Sequence, residues 1–238
     1  MHYISILSTI VSLTFAAAVF RRYRQRGGLH LLFWTIGLVL YGLGTLTEVI
    51  MLFTFNELAL KIWYLSGAML TAAWLGQGSV NLLVRKGGIA RALNISLLIV
   101  SLVALLLIFF APVTSAAASF NPGDPVSSQY KEILVRSGFI TFLTIILNLY
   151  GTVTLVGGAI YSAFLFWRKK VLLNRMLGNI LIAAGALMPA IGGSFLKAGL
   201  PDWLYLSEFL GAIVMYIGFV QATVPQSVQA AAAVSPGD

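Results

Sequence analysis

The sequence lacks cysteine altogether, contains only two histidines and is poor in charged residues. Without thiols the chain can form no disulfide, no thiolate nucleophile and no cysteine metal site. The histidines, His2 and His30, lie at the N-terminus and at the start of an apolar run, which does not favour a histidine metal site. Hydrolase, phosphate-loop and zinc-helix motifs are also missing. We therefore expect neither an enzyme nor a bound cofactor or metal.

Charge is scarce because apolar residues dominate the chain. Charged residues are 9% and hydrophobic residues 59% of the 238, whereas a soluble domain carries roughly 25% charged residues. Seven apolar runs approach the ~20 residues that a helix needs to cross a bilayer. The predicted fold is an all-α membrane protein, a seven-transmembrane-helix bundle over residues 1–224, followed by a disordered C-terminal tail at 225–238. The spans are approximately 3–20, 29–55, 58–84, 89–111, 138–167, 175–196 and 203–224.

The net charge of +8 predicts membrane orientation and not a nucleic-acid partner, because the basic residues cluster between the spans. Cytoplasmic loops of membrane proteins are enriched in Lys and Arg. The connections after the first, third and fifth spans hold eleven of the 15 basic residues, which predicts an external N-terminus and a cytoplasmic C-terminus. These residues are Arg21, Arg22, Arg24, Arg26, Arg85, Lys86, Arg91, Arg168, Lys169, Lys170 and Arg175.

The one long connection, at 112–137, is predicted to lie outside the membrane. Its stretch Asn121–Pro125 reads Asn-Pro-Gly-Asp-Pro, which is strong turn chemistry. The segment Gln129–Arg136 is expected to form a short interfacial helix.

Two short matches suggest an internal repeat. Residues 20–22 and 167–169 each end a span with an aromatic residue and two basic ones, and residues 64–66 and 205–207 share Tyr-Leu-Ser near the start of a span. Two three-helix units in the same orientation, joined by the fourth helix, would produce this pattern, and parallel repeats of this kind occur in transporters.

Ionisable residues inside the spans are the candidates for a site, because charges in a bilayer are costly and rarely face lipid. Glu48 and Glu208 both fall in the predicted outer half of their spans. Two interpretations stay open: a polar pocket open to the outside, or ion pairs and interfacial charges that hold the helices together. The residues expected at the pocket are Glu48, Tyr64, Glu208, Lys61, Lys197, Tyr41 and Asn148.

The pocket also predicts which helices are neighbours. We expect the second, third and seventh spans to contact one another, the fifth and sixth to complete a ring, and the fourth to stay outside it. Lys61 or Lys197 would compensate one carboxylate, although Lys61 can also pair with Glu57 one helical turn away.

Aromatic and polar residues near the start of the chain resemble a known family. Trp34, Tyr41-Gly42 and Glu48, followed by the Trp-Tyr-Leu-Ser-Gly stretch at 63–67, resemble the seven-helix N-terminal sensor region of bacterial membrane histidine kinases. The resemblance covers mainly the first three spans and implies a sensor, with no residue role carried over. In that family a signalling domain follows the seventh helix, and here we expect a separate partner to replace it.

The leading hypothesis is a multi-pass sensor or receptor of the bacterial plasma (inner) membrane that binds a small or lipid-like ligand in its outer half. It would signal through a cytoplasmic or membrane partner. A small proton-coupled transporter that uses Glu48 or Glu208 is one alternative, and a structural subunit of a larger membrane complex is another. Besides this partner, the sequence predicts contact with the lipid bilayer and carries no signal for an oligomeric state.

Overall fold

The computed structural model describes residues 4–84, 88–168 and 173–223, without the side chains of 193, 194, 196, 197, 201 and 202. Within these ranges the chain is helical, and seven helices are long and apolar enough to cross a membrane, which confirms the seven predicted spans. The tail predicted at 225–238 lies outside the described residues. The seven helices are α1 (Ile4–Arg26), α2 (Leu29–Met51), α3 (Glu57–Leu83), α4 (Ile89–Phe109), α5 (Gly138–Arg168), α6 (Leu173–Lys197) and α7 (Pro201–Thr223).

Two helix ends differ from the prediction for local reasons. The first helix continues to Arg26 instead of ending near residue 20, because arginine is a good helix former. It stops where Gly27 and Gly28 adopt positive φ angles of 66° and 103°, a conformation that glycine adopts without strain. The second helix ends at Met51, and Asn56 caps α3 by accepting a hydrogen bond of 2.8 Å from the Ala59 amide.

Six of the seven helices form a ring. Each packs against the next in the order α1, α2, α3, α5, α6 and α7, and α7 closes the ring against α1. The fourth helix lies outside the ring against α3 and α5: only 17% of its most apolar window is buried, compared with 56% for α3. The expected peripheral position of the fourth span is therefore confirmed.

The expectation that α7 is a packing neighbour of α2 and α3 is wrong, because α7 packs extensively against α6 and also against α1. Glycines allow the close approach of α6 and α7: a Cβ atom built on Gly185 would lie 2.7 Å from the Gly211 carbonyl oxygen. Small residues of this kind are typical of membrane-helix interfaces. The facing glycines expected between α2 and α3 are present, since a Cβ on Gly44 would lie 2.8 Å from the Gly67 Cα.

The 112–137 connection folds back over one end of the bundle, which we call the loop end. The start of α1 at Ile4, the end of α2 at Met51 and the start of α3 at Glu57 lie at this same end. The predicted turn is present, with the Asp124 amide donating to the Asn121 carbonyl at 3.0 Å. A short helix follows at Val126–Ile133, here called the loop helix.

The loop helix begins three residues earlier than predicted, and its two ends explain the difference. Pro125 immediately precedes it, and proline cannot continue a preceding helix but is compatible with a helix start. At the other end, the Val135 amide donates to the Pro112 carbonyl at 3.0 Å, and Thr114 donates to Ile133 at 2.9 Å. These two bonds join the ends of the connection and stop the helix before residue 136.

Candidate functional site

A cavity of about 290 Å³ lies inside the helix ring. Helices α2, α3, α5, α6 and α7 form its walls, and the loop helix covers it at the loop end through Ser127 and Tyr130. Four of the residues predicted for a pocket line this one cavity: Tyr41, Glu48, Asn148 and Glu208.

Glu48 is held in place by two donors from neighbouring helices. Its Oε2 accepts a hydrogen bond of 2.8 Å from Ser5 Oγ of α1, and its Oε1 accepts one of 2.6 Å from Trp63 Nε1 of α3. The residue is only 4% exposed. A polar group buried in a membrane protein is costly unless it is hydrogen-bonded, and these two donors explain how a carboxyl group is tolerated in α2.

Glu208 faces the same cavity from α7 without comparable support. Its side chain makes no hydrogen bond or ion pair with the described residues, whereas its backbone carbonyl accepts a hydrogen bond of 2.7 Å from the Tyr41 hydroxyl. That bond joins α2 to α7, two helices that are not neighbours in the ring. The carboxyl of Glu208 is therefore the polar group of the wall that is most available to a ligand.

A π-helical turn at Tyr64–Leu70 shapes the α3 wall. Such turns leave backbone carbonyls without their usual partners and occur frequently at functional sites. Here Asn148 Nδ2 of α5 donates to the Ala68 carbonyl at 2.7 Å, and Thr71 Oγ1 donates to the Ser66 carbonyl at 2.8 Å. Asn148 therefore lines the cavity and also fastens α5 to the irregular turn.

The cover of the cavity is built from stacked aromatic side chains. The ring of Tyr130 lies 5.1 Å from Trp63 and 5.7 Å from Tyr64, and the Arg136 guanidinium lies 4.9 Å above Tyr130. Burial raises the pKa of the Tyr130 phenol, although Arg136 opposes the shift. The phenol therefore stays neutral at physiological pH and adds a hydroxyl, not a charge, to the cavity mouth.

Tyr64 and Lys61 do not line the cavity, in contrast to the prediction. Tyr64 lies behind Tyr130 and shares a hydrogen bond of 3.1 Å with Thr144. Lys61 pairs with Glu57 at 2.6 Å, as its spacing predicted, and donates to the Phe109 carbonyl at 3.0 Å, so it links α3 to the end of α4. The Lys197 side chain lies outside the described residues.

Sequence reasoning missed four residues of the site. Trp63 and Tyr130 lie near predicted span ends, where an interfacial position is the usual role of such aromatic residues, so the sequence alone does not mark them as cavity residues. The spacing of Trp63 from Glu48 across a helical hairpin was the one signal that could have linked them. Nothing in the sequence pairs Ser5 with Glu48 or places Ser127 over the cavity, because both contacts depend on the tertiary structure.

The cavity is polar at one end and apolar at the other. Carboxyl groups, hydroxyls and aromatic rings surround its mouth near the loop helix, whereas its floor is apolar, with Leu75, Leu155, Val156, Ala186 and Met215. No lysine, arginine or histidine lines it among the described side chains, and these residues contain no cluster of three His, Cys, Asp or Glu that could hold a metal. The arrangement suits noncovalent binding of a molecule with one polar and one apolar part.

The described part of the chain is that of a multi-pass membrane protein with seven apolar helices, five of which surround a partly polar cavity. Comparison of this chain with protein-family models, curated proteins and solved structures gave no match.

Proposed function

We propose that this protein is a sensor or receptor of the bacterial plasma membrane that binds a small or lipid-like ligand in the central cavity. The observation that carries the proposal is the cavity itself, because five helices and the loop helix together surround it. A cavity near 300 Å³ lies at the lower end of the ~300–1,000 Å³ typical of small-molecule sites. With the N-terminus outside, the cavity opens towards the exterior.

Binding is tested with a pair of neighbouring variants. Thr152 lines the cavity, whereas Val153, the next residue of α5, is 61% exposed on the ring surface. Thr152→Phe fills the cavity and Val153→Phe does not. In lipid nanodiscs, a bound small amphiphile should raise the melting temperature of the wild type and of Val153→Phe. The same compound should leave Thr152→Phe unchanged; equal responses in all three would exclude the cavity as the site.

Transmission to the other end of the bundle is proposed to use α6. Pro189 lines the cavity and lies inside this helix, and a proline removes a backbone hydrogen bond and allows a bend. Because the chain has no cysteine, Phe20→Cys and Leu177→Cys, both on exposed side chains, can carry spin labels. A ligand-dependent change in their distance is expected, and an unchanged distance would indicate binding without transmission.

The proposed orientation has its own test. Reporter fusions placed after Asp238 and within the turn at 121–124 should report opposite sides of the membrane. If both report the same side, the external position of the cavity mouth is wrong.

Proton-coupled transport is the second candidate, because two carboxyl groups face one cavity. The ring order of α1–α3 followed by α5–α7 also supports the predicted pair of three-helix units. Proteoliposomes with an internal pH dye should then show substrate-dependent proton movement that Glu48→Gln and Glu208→Gln abolish. Undiminished coupling in the double variant would exclude this candidate.

A further inference from the structure

We propose that the ligand of the cavity is a small organic cation with an apolar tail. Its positive nitrogen binds at Glu208 and Glu48 beneath the aromatic cover, and its tail lies on the apolar floor. This inference rests on the proposed function, since it names the class of ligand that the same cavity takes.

The first argument is charge. Two carboxyl groups line the cavity, and no cationic side chain does so among the described residues. Two nearby cations point to other groups: Lys61 binds Glu57 and the Phe109 carbonyl, and Arg136 stacks over Tyr130 with its buried Nε unpaired. Buried charges in proteins are paired, so a cationic ligand supplies what the wall lacks, whereas an anion would meet two carboxyl groups.

The second argument is the difference between the two carboxyl groups. Glu48 already accepts hydrogen bonds from Ser5 and Trp63. Glu208 has no side-chain partner among the described residues, although it faces the same space. A protonated amine that donates to Glu208 therefore fills an unused acceptor, while Glu48 adds a second negative group held in a constant position.

The third argument comes from the neutral groups at the mouth. Trp63 and Tyr130 both line the cavity with their rings 5.1 Å apart, and aromatic faces attract organic cations. Ser127, which is 2% exposed, also lines the cavity. It lies close to Tyr205, yet its Oγ makes no hydrogen bond of good geometry. This buried hydroxyl, beside Tyr205, offers a second acceptor for a ligand N–H group.

The floor and the volume define the rest of the ligand. Leu75, Leu155 and Met215 offer apolar surface opposite the polar mouth. A volume of about 290 Å³ corresponds to roughly ten water-sized groups at ~30 Å³ each. A zwitterion is disfavoured, because the described wall provides no cation for its negative group. A primary alkylamine of about that size matches both ends of the cavity.

The experiment compares three probes of equal chain length: octylammonium, octan-1-ol and octanoate. Their affinities for the protein in nanodiscs of neutral lipid are measured by calorimetry, with Thr152→Phe subtracted as the blocked cavity. We expect octylammonium to bind at least tenfold more tightly than octan-1-ol, and octanoate not to bind. Glu208→Gln should lower the affinity for octylammonium at least tenfold and leave that for octan-1-ol unchanged.

A matched control separates the cavity from general surface attraction. Glu132 is an exposed acid on the loop helix that does not line the cavity, so Glu132→Gln should leave octylammonium affinity within twofold of wild type. Equal binding of octylammonium and octan-1-ol would overturn the cation proposal and leave the cavity as a ligand site. If Thr152→Phe binds every probe as tightly as the wild type does, the proposed function fails as well. The wild-type comparison decides the question even if Glu208→Gln does not fold.

Discussion

Two polar regions between the helices of this protein differ in whether their side chains form hydrogen bonds with one another. Towards the end of the bundle opposite the loop, Gln77, Asn81, Asn94 and Tyr150 form an amide cluster that joins α3, α4 and α5. Gln77 donates to Asn94 at 2.5 Å and accepts from the Tyr150 hydroxyl, while Asn81 and Asn94 exchange hydrogen bonds of 2.8 and 3.0 Å. Each of the four side chains has a partner within the cluster.

The cavity at the loop end has the opposite character. Its carboxyl groups and hydroxyls line a cavity, and Glu208 has no side-chain partner among the described residues. A polar group in an apolar span is costly unless it is paired. The comparison teaches that the closed amide cluster serves to fasten the peripheral α4 to the ring, whereas the open cavity is suited to a ligand. Substitutions in the amide cluster should therefore change mainly stability, and substitutions in the cavity should change mainly ligand binding.

The largest effect is expected at the contact between α3 and α5, on which both regions depend. A Cβ atom on Gly151 would lie 2.2 Å from the Ala72 carbonyl carbon, so Gly151→Ala forces two backbones apart. We expect a loss of about 3 kcal/mol in the free energy of unfolding, at the upper end for overpacking. Gly157→Ala in the same helix, with nothing within 4 Å, should be neutral or slightly stabilising. Detergent unfolding followed by circular dichroism measures both, and equal losses would refute the close contact.

The next largest effect should come from the amide cluster. Gln77→Leu leaves the Tyr150 hydroxyl without its partner and removes one of the two donors to the Asn94 carbonyl oxygen. We expect a loss of about 1–2 kcal/mol in unfolding free energy with ligand affinity unchanged. Gln221→Leu is the matched control, because Gln221 makes a single hydrogen bond of 3.1 Å with Asn174. If Gln77→Leu weakened ligand binding and left stability intact, the division between the two regions would be wrong.

A smaller effect on stability is expected at the cavity mouth. Trp63→Phe removes one of the two donors to Glu48 but keeps an aromatic ring near Tyr130. We expect a loss of about 1 kcal/mol in unfolding free energy, together with altered ligand affinity. Trp203→Phe changes a Trp that is 47% exposed and should alter neither quantity. If Trp63→Phe changed neither the unfolding free energy nor the ligand affinity, the indole N–H group would not be what positions Glu48.

The smallest effect is expected for the bond between α2 and α7. Tyr41→Phe removes the hydroxyl that donates to the Glu208 carbonyl, and hydrogen bonds between membrane helices average about 0.6 kcal/mol in double-mutant cycles. Tyr161→Phe, at a side chain 53% exposed, is the control and should have no effect. A Tyr41→Phe loss above that of Gln77→Leu would make the cavity, and not the amide cluster, the main structural support.

Several features of the site could be predicted because they depend on local chemistry. Glu48 and Glu208 were identified because carboxyl groups are rare and costly in apolar spans. The pairing of Lys61 with Glu57 follows from their spacing of four residues on one helix. The assignment of Lys61 to the pocket was wrong for the same reason: this local partner and the Phe109 carbonyl already occupy its ammonium group.

The sequence by itself determined the seven spans and the turn at 121–124. A bilayer provides no hydrogen bonds to the backbone, so each long apolar run must be a helix, and Asn, Pro, Gly and Asp carry their turn preference locally. The neighbours of each helix were decided only by the tertiary structure. Lipid is as apolar as leucine, so hydrophobic periodicity does not specify which faces meet. Close packing of small residues placed α7 against α6, and that arrangement brought Glu208 to the cavity that Glu48 faces from α2.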